Sequence, residues 1–238
     1  MKDEEMFGPD DEIEGDIITI VGGAFHQPIA DLIGRLAARH PKPAESYSAG
    51  YFENGYCASI AILLVLAFES YVSRISYLRM RALGESRKSA PISTHEYIKR
   101  IAPSFPLLEE LQDIYVVRDG LAHGHLWSVD YVLRSKGTDV IGRGLFEGFG
   151  DNKMRTRVDL ETGKTRFLGI NVLPTSIGLK DAAMIFRVIA LSLDHLVKVG
   201  LIEQPAVRGH VRYDGRTLQF WSLHAVLADL SSRHDHAA

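Results

Sequence analysis

The segment VVRDGLAHGHLW, residues 116–127, gathers an arginine, an aspartate and two histidines around two glycines at the end of an apolar run. A fold needs none of those polar groups there. Histidine titrates near neutral pH and can give or take a proton, while arginine carries a permanent forked charge that suits phosphate oxygens. An acid–base group beside a fixed positive charge suits proton transfer at a phosphoryl group. Arg118, Asp119, His123 and His125 are therefore the candidate catalytic residues. Asp119 has two available roles: fixing an imidazole tautomer, or holding Arg118.

Spacing alone decides little, because Arg35 and His40 repeat it by chance. Context separates the two pairs. Arg35 lies on a polar helix end before prolines, whereas Arg118 follows the apolar turn IYVV and leads into GLAHG. On an ideal helix His123 points about 140° away from Arg118, so convergence requires Gly120 to loosen the helix or Gly124 to end it. His125 would share the face of Arg118 even in a continuous helix. Two plainer readings stay open. Arg118 and Asp119 can cap and charge a helix end with His123 as a satisfied core or interface residue, and His123 with His125 can form an HxH metal pair. No third metal ligand is evident nearby, so no metal or cofactor is expected.

The elements that must place these residues are mostly helical. Pro28 opens a helical pattern that stops before HPKP at 40–43, after an IITIVGG stretch at 17–23 that reads as a short strand or extended segment. From about Tyr51 to Leu83 no proline occurs and apolar residues recur at three and four residue spacing, which predicts one long helix. Glu69 sits in that apolar helix and needs a partner if buried; Arg118 is the candidate, with Arg74 one turn onward as the alternative. Ser93 or Thr94 with Glu96 marks a short helix to about Ile101, and LLEELQDIYVVRDGLAHG is helical up to its glycines.

Residues 126–173 change to β-branched and aromatic alternation (LWSVDYVL, RTRVDL, RFLGINVL) broken by GTD and ETGKT, which predicts two or three antiparallel strands. Gly163, Lys164 and Thr165 spell the end of a P-loop, but Val158 occupies the position of its first glycine, so a turn is expected instead. A helix returns from Leu179 to about Val199. VRYDGRTLQF then reads as a hairpin about Asp-Gly, and LQFWSLHAVLADLSSR as a terminal amphipathic helix. The expected fold is mainly α: an antiparallel helical bundle with a small antiparallel β-hairpin insertion at about 126–173 and a C-terminal helix, all within one domain spanning 17–238.

Composition bounds the partners. A net charge of −3 argues against a dedicated, strongly basic nucleic-acid binder. Residues 1–16, however, hold eight acids and one lysine, a balance of −7, so the body sums to +4. That leader reads as a flexible acidic tail. The densest basic stretch, residues 131–166, carries Arg134, Lys136, Arg155 and Arg157 among eight basic residues against five acids. It is either a solvated hairpin surface or a phosphate-tracking one. The lone Cys57 excludes an intramolecular disulfide and points to a reducing compartment, the acidic N-terminus does not resemble a secretory signal, and the apolar run 57–68 is too short to span a membrane. A cytoplasmic protein without a membrane anchor is expected.

RDGLAHG resembles the signature of the HEPN superfamily, the helical domains of many prokaryotic toxins and defence ribonucleases. The match falls on Arg118, Asp119 and His123, with Glu69 similar to a polar residue that some members place near the site. Its detail covers about ten residues, and the order of helices extends it loosely over 51–200. The family has tyrosine two residues after the histidine in one branch, where this chain has His125. The resemblance implies an antiparallel four-helix bundle, a homodimer in which two motifs face one another, metal-independent RNA cleavage in stress response or phage defence, and an antitoxin or other regulatory protein as partner. It also leaves open a non-catalytic module of the same fold that binds a protein or nucleotide.

Overall fold

The structure is a computed structural model that describes residues 21–39, 49–83, 93–122, 127–134, 137–145, 152–203 and 208–235. The acidic leader, His123, His125 and Lys136 lie outside the described residues.

Two helices form the axis of the core. Helix α2, Ala49–Ala82, is 34 residues long and buries Ile60, Leu64, Phe68, Tyr71 and Ile75 at three and four residue intervals. Its stretch Glu53–Ala82 is long and apolar enough to cross a membrane, its most apolar 18-residue window having mean hydropathy 1.7, and 50% of that window is buried within the fold. The 57–68 run thus underestimates the apolar span, because Glu69 does not end it. Helix α6, Leu179–Lys198, packs against α2 through Ile185, Phe186, Ile189 and Leu193. Glu53 near the start of α2 meets Gly178 and Leu179 at the start of α6, so the two helices spring from one end of the molecule.

Around this axis lie α1 (His26–Arg39), α3 (Thr94–Ile101), α4 (Leu108–Ala122), the short α5 (Asn152–Arg157) and α7 (Leu223–Asp235). Pro28 sits in the first turn of α1, where its missing N–H costs nothing. Residues 21–25 are not extended: they form a 3-10 helix laid on α2. Gly22 makes that approach possible, since a Cβ there would stand 2.7 Å from the Ala67 carbonyl oxygen, and its N–H donates to Ser70 Oγ at 2.8 Å. The start of α3 follows the sequence closely. Ser93 Oγ accepts from Glu96 N at 3.2 Å while Ser93 N donates to Glu96 Oε2 at 3.1 Å, a complete capping box.

The β elements are three antiparallel pairs. Strand β1, Trp127–Arg134, runs against β2, Gly137–Leu145, with a register irregularity between Asp130 and Tyr131. Gly137–Asp139 belong to β2 rather than forming the turn, with Gly137 paired to Arg134. The first half of the expected strand RTRVDL is helical, with Met154 in the core and 152–157 forming α5. Only β3 (Val158–Asp159) and β4 (Lys164–Thr165) pair there, around a turn with Gly163 at φ 67°. RFLGINVL is not a strand either. The buried Asp113 of α4 captures its first amides, Phe167 N at 3.0 Å and Leu168 N at 2.8 Å, which bends the segment around α4. Finally β5 (His210–Tyr213) and β6 (Arg216–Gln219) close on Asp214 and Gly215, both at positive φ as a two-residue hairpin turn demands. Leu218 and Gln219 are therefore strand, and after a 3-10 turn at Phe220–Ser222 helix α7 buries Leu223, Leu227 and Leu230 against α6.

Candidate functional site at the end of the motif helix

Helix α4 is the most enclosed of the helices near the motif: Leu111, Asp113, Ile114, Tyr115, Val116 and Val117 are all buried. The motif residues Arg118 and Asp119 emerge at its C-terminal end. The helix runs through Gly120 to Ala122, so the expectation that Gly120 loosens it does not hold. A Cβ at Gly120 would meet Met154 Cε at 3.4 Å and the Val172 carbonyl oxygen at 3.6 Å, ordinary contact distances, so neither space nor backbone angle imposes glycine here.

Arg118 projects from α4 toward α2, where its Nη2 donates to Glu69 Oε1 at 2.6 Å. Its Nη1 lies 3.1 Å from Asp119 Oδ1, and Lys153 Nζ on α5 donates to Asp119 Oδ2 at 3.2 Å. The four charges thus form one chain, Glu69, Arg118, Asp119, Lys153, with no net charge. All four are partly exposed, Arg118 and Glu69 at 25% and 22% of their side-chain surface. Tyr115 underlies them: the Arg118 guanidinium carbon stands 5.8 Å from its ring centroid and Lys153 Nζ 5.6 Å. Burial raises the Glu69 pKa above the usual carboxylate range; Arg118 opposes this and Asp119 adds to it. Tyr115 is pushed up in the same way, by burial first and Glu69 second.

Of the residues singled out from sequence, Arg118, Asp119 and Glu69 are brought together, and Arg118 rather than Arg74 is the partner of Glu69. Asp119 spends one carboxylate oxygen on Arg118 and the other on Lys153, which favours the holding role over the tautomer role. His123 and His125 follow α4 directly but lie outside the described residues. Arg134 closes β1, and Lys136 is outside the description. Arg155 faces solvent on α5. Arg157 does not: its Nη1 is 2.7 Å from Glu109 Oε2 and 3.8 Å from the buried Asp113 Oδ1, so it ties α5 to α4 and is withdrawn from the substrate-binding set.

Sequence reasoning missed Lys153 as a site residue, and it missed His95. The ring of His95 on α3 accepts at Nε2 from the amide of Gln112 on α4. Burial, followed by Lys153, Lys99 and Arg157, lowers its pKa below that of a free imidazole. Nothing in a single histidine on a short helix marks such a position; it becomes visible only when α3 is laid against α4. Among the described residues no three His, Cys, Asp or Glu side chains gather to hold a metal ion.

The chain matches no protein-family model, no curated protein and no solved structure.

Proposed function

We propose that this protein is a metal-independent endoribonuclease of HEPN type acting in stress response or phage defence. In this reading the chain is a cytoplasmic homodimer, without a membrane anchor, whose partners are RNA and a neutralising antitoxin or regulatory protein. The observation that carries the reading is the placement of Arg118. It is held by Glu69 and Asp119 at the partly exposed end of α4, immediately before His123. Both Nη groups of its guanidinium face carboxylates and Nε is buried, so only the Nη N–H donors not turned to Glu69 and Asp119 remain for phosphate oxygens.

The reaction is internal transesterification. The 2′-oxygen gives up its proton and bonds to phosphorus, the 5′-oxygen leaves and takes a proton, and a 2′,3′-cyclic phosphate and a 5′-hydroxyl remain. His123, with His125 beside it, supplies and receives the protons, one imidazole from each protomer, while Arg118 neutralises the phosphorane. Lys153 and Arg155 on α5, with Arg134 and Lys136 of the hairpin, form the strand-tracking surface.

A second reading has its own support. Both ends of the Arg118 fork already face carboxylates, as expected of a clamp between α2 and α4 in a non-catalytic binding module. Labelled RNA incubated in EDTA with wild type, Arg118→Ala and His123→Ala protein separates the two. The nuclease reading expects cleavage by wild type and a loss of 100-fold or more, roughly, in both variants. Cleavage that survives both substitutions rejects the site, and absence of cleavage by every form supports the binding module.

A further inference from the structure

Away from Arg118 the molecule contains a hollow of about 360 Å³ where the start of α6, the 164–171 loop and α7 meet. Its mouth carries Lys164 and Lys180, and Leu179 and Met184 form an apolar wall. Asn171 and Ser231 add polar groups. Ser231 is 9% exposed and lines the hollow. Both lysines are exposed and lack an ion-pair partner among the described residues.

The acids that line the same space are already engaged. Asp181 accepts from Gly178 N at 3.0 Å, Asn171 N at 3.2 Å and Asn171 Nδ2 at 2.9 Å. Glu53 Oε1 faces the Leu179 amide at 3.4 Å. With the first amides of α6 taken by Asp181 and Glu53, what remains open to an occupant is two ammonium groups and the Ser231 hydroxyl, around a pocket of small-molecule size.

We propose that this hollow binds a small phosphomonoester: its anionic head between Lys164 and Lys180, one oxygen on Ser231 Oγ, and its organic body against Leu179 and Met184. The site is separate from Arg118 and does not depend on nuclease activity. Glu53 supplies a distinctive sign. Its carboxylate stands at the edge of an anion site, so removing its charge should strengthen binding rather than weaken it.

The test is direct titration of the full chain with phenyl phosphate, benzoate and uncharged benzyl alcohol, by calorimetry and by shift in melting temperature. Saturable binding of phenyl phosphate in the micromolar to millimolar range is expected. The Lys164→Ala/Lys180→Ala protein should bind about tenfold or more weakly and Ser231→Ala several-fold more weakly, while Glu53→Gln binds several-fold tighter. Lys198→Ala, which removes an exposed lysine paired with Asp194, should leave binding unchanged. Benzoate binding as tightly as phenyl phosphate overturns the phosphate head in favour of a carboxylate. Equal binding of benzyl alcohol, no binding of phenyl phosphate, or undiminished binding by the double lysine variant overturns the site. Folding of each variant is checked by its unliganded melting curve, which the exposed lysine substitutions should leave unchanged.

Discussion

Removing Arg118 should destabilise the fold in a way that depends on pH. The pair it makes with Glu69 is three-quarters buried, between the exposed ion pairs worth up to about 1 kcal/mol and the fully buried ones whose disruption costs about 3–5 kcal/mol. Arg118→Ala should therefore lose about 2 kcal/mol, a fall of about 4–8 °C in melting temperature for a chain of this length. Glu69 then keeps its burial and the repulsion of Asp119 but loses its main cation. Its folded pKa, already raised above the unfolded value, rises further. Such a group contributes stability below the unfolded pKa and loses it as pH climbs through the folded pKa, so the deficit of Arg118→Ala should be small near pH 5 and largest above neutrality. Glu69→Gln alone should cost less than about 1 kcal/mol, since an amide oxygen still accepts from Arg118. The double variant Glu69→Gln/Arg118→Ala should recover about 1–2 kcal/mol relative to the sum of the single changes. Urea unfolding of the four proteins at pH 5 and pH 8 measures all of this. Additive losses with no dependence on pH would refute the pairing on which the site is built.

The remaining predictions follow from equally local features. Gly22→Ala must push the 3-10 helix off the Ala67 carbonyl and should cost about 1–3 kcal/mol, whereas Gly120→Ala fits and should be neutral or stabilise by up to about 1 kcal/mol in thermal melts. Asp113→Ala orphans the Phe167 and Leu168 amides and should cost about 2–5 kcal/mol in urea titrations, with Asp113→Asn less severe. His26 is buried against Phe220, and burial lowers its pKa to about 4. Its unfolded form binds a proton below pH 6.5 and the folded form does not, so stability should decline from pH 6.5 to 4 by up to about 3 kcal/mol, a slope that His26→Gln removes.

The helices were legible in the sequence because their signals are local. The three and four residue spacing of α2, the Ser93–Glu96 capping box and the Asp-Gly turn of the last hairpin each need only a few neighbours. The failures lie where distant contacts override a local preference. RTRVDL alternates like a strand, yet Met154 has a place in the core that only a helix reaches. RFLGINVL is β-branched, yet Asp113, more than fifty residues upstream, takes its amides. At the site, the unsatisfied charge of Glu69 was a sound guide to Arg118, because a carboxylate in an apolar helix must find a cation. Lys153 gave no such signal, since it sits in a charged surface stretch like its neighbours. His95 gave none because its partner Gln112 lies on another helix.

The central claim is that Arg118 and His123 promote attack by an RNA 2′-oxygen without a metal. The most direct measurement is cleavage, in EDTA, of a labelled RNA compared with the same strand carrying 2′-deoxy residues at every mapped cleavage position. The account predicts cleavage of the ribose strand to 2′,3′-cyclic phosphate ends, no cleavage of the substituted strand, and loss of both products in Arg118→Ala protein. Cleavage of the substituted strand, or linear phosphate ends formed from the outset, would contradict it.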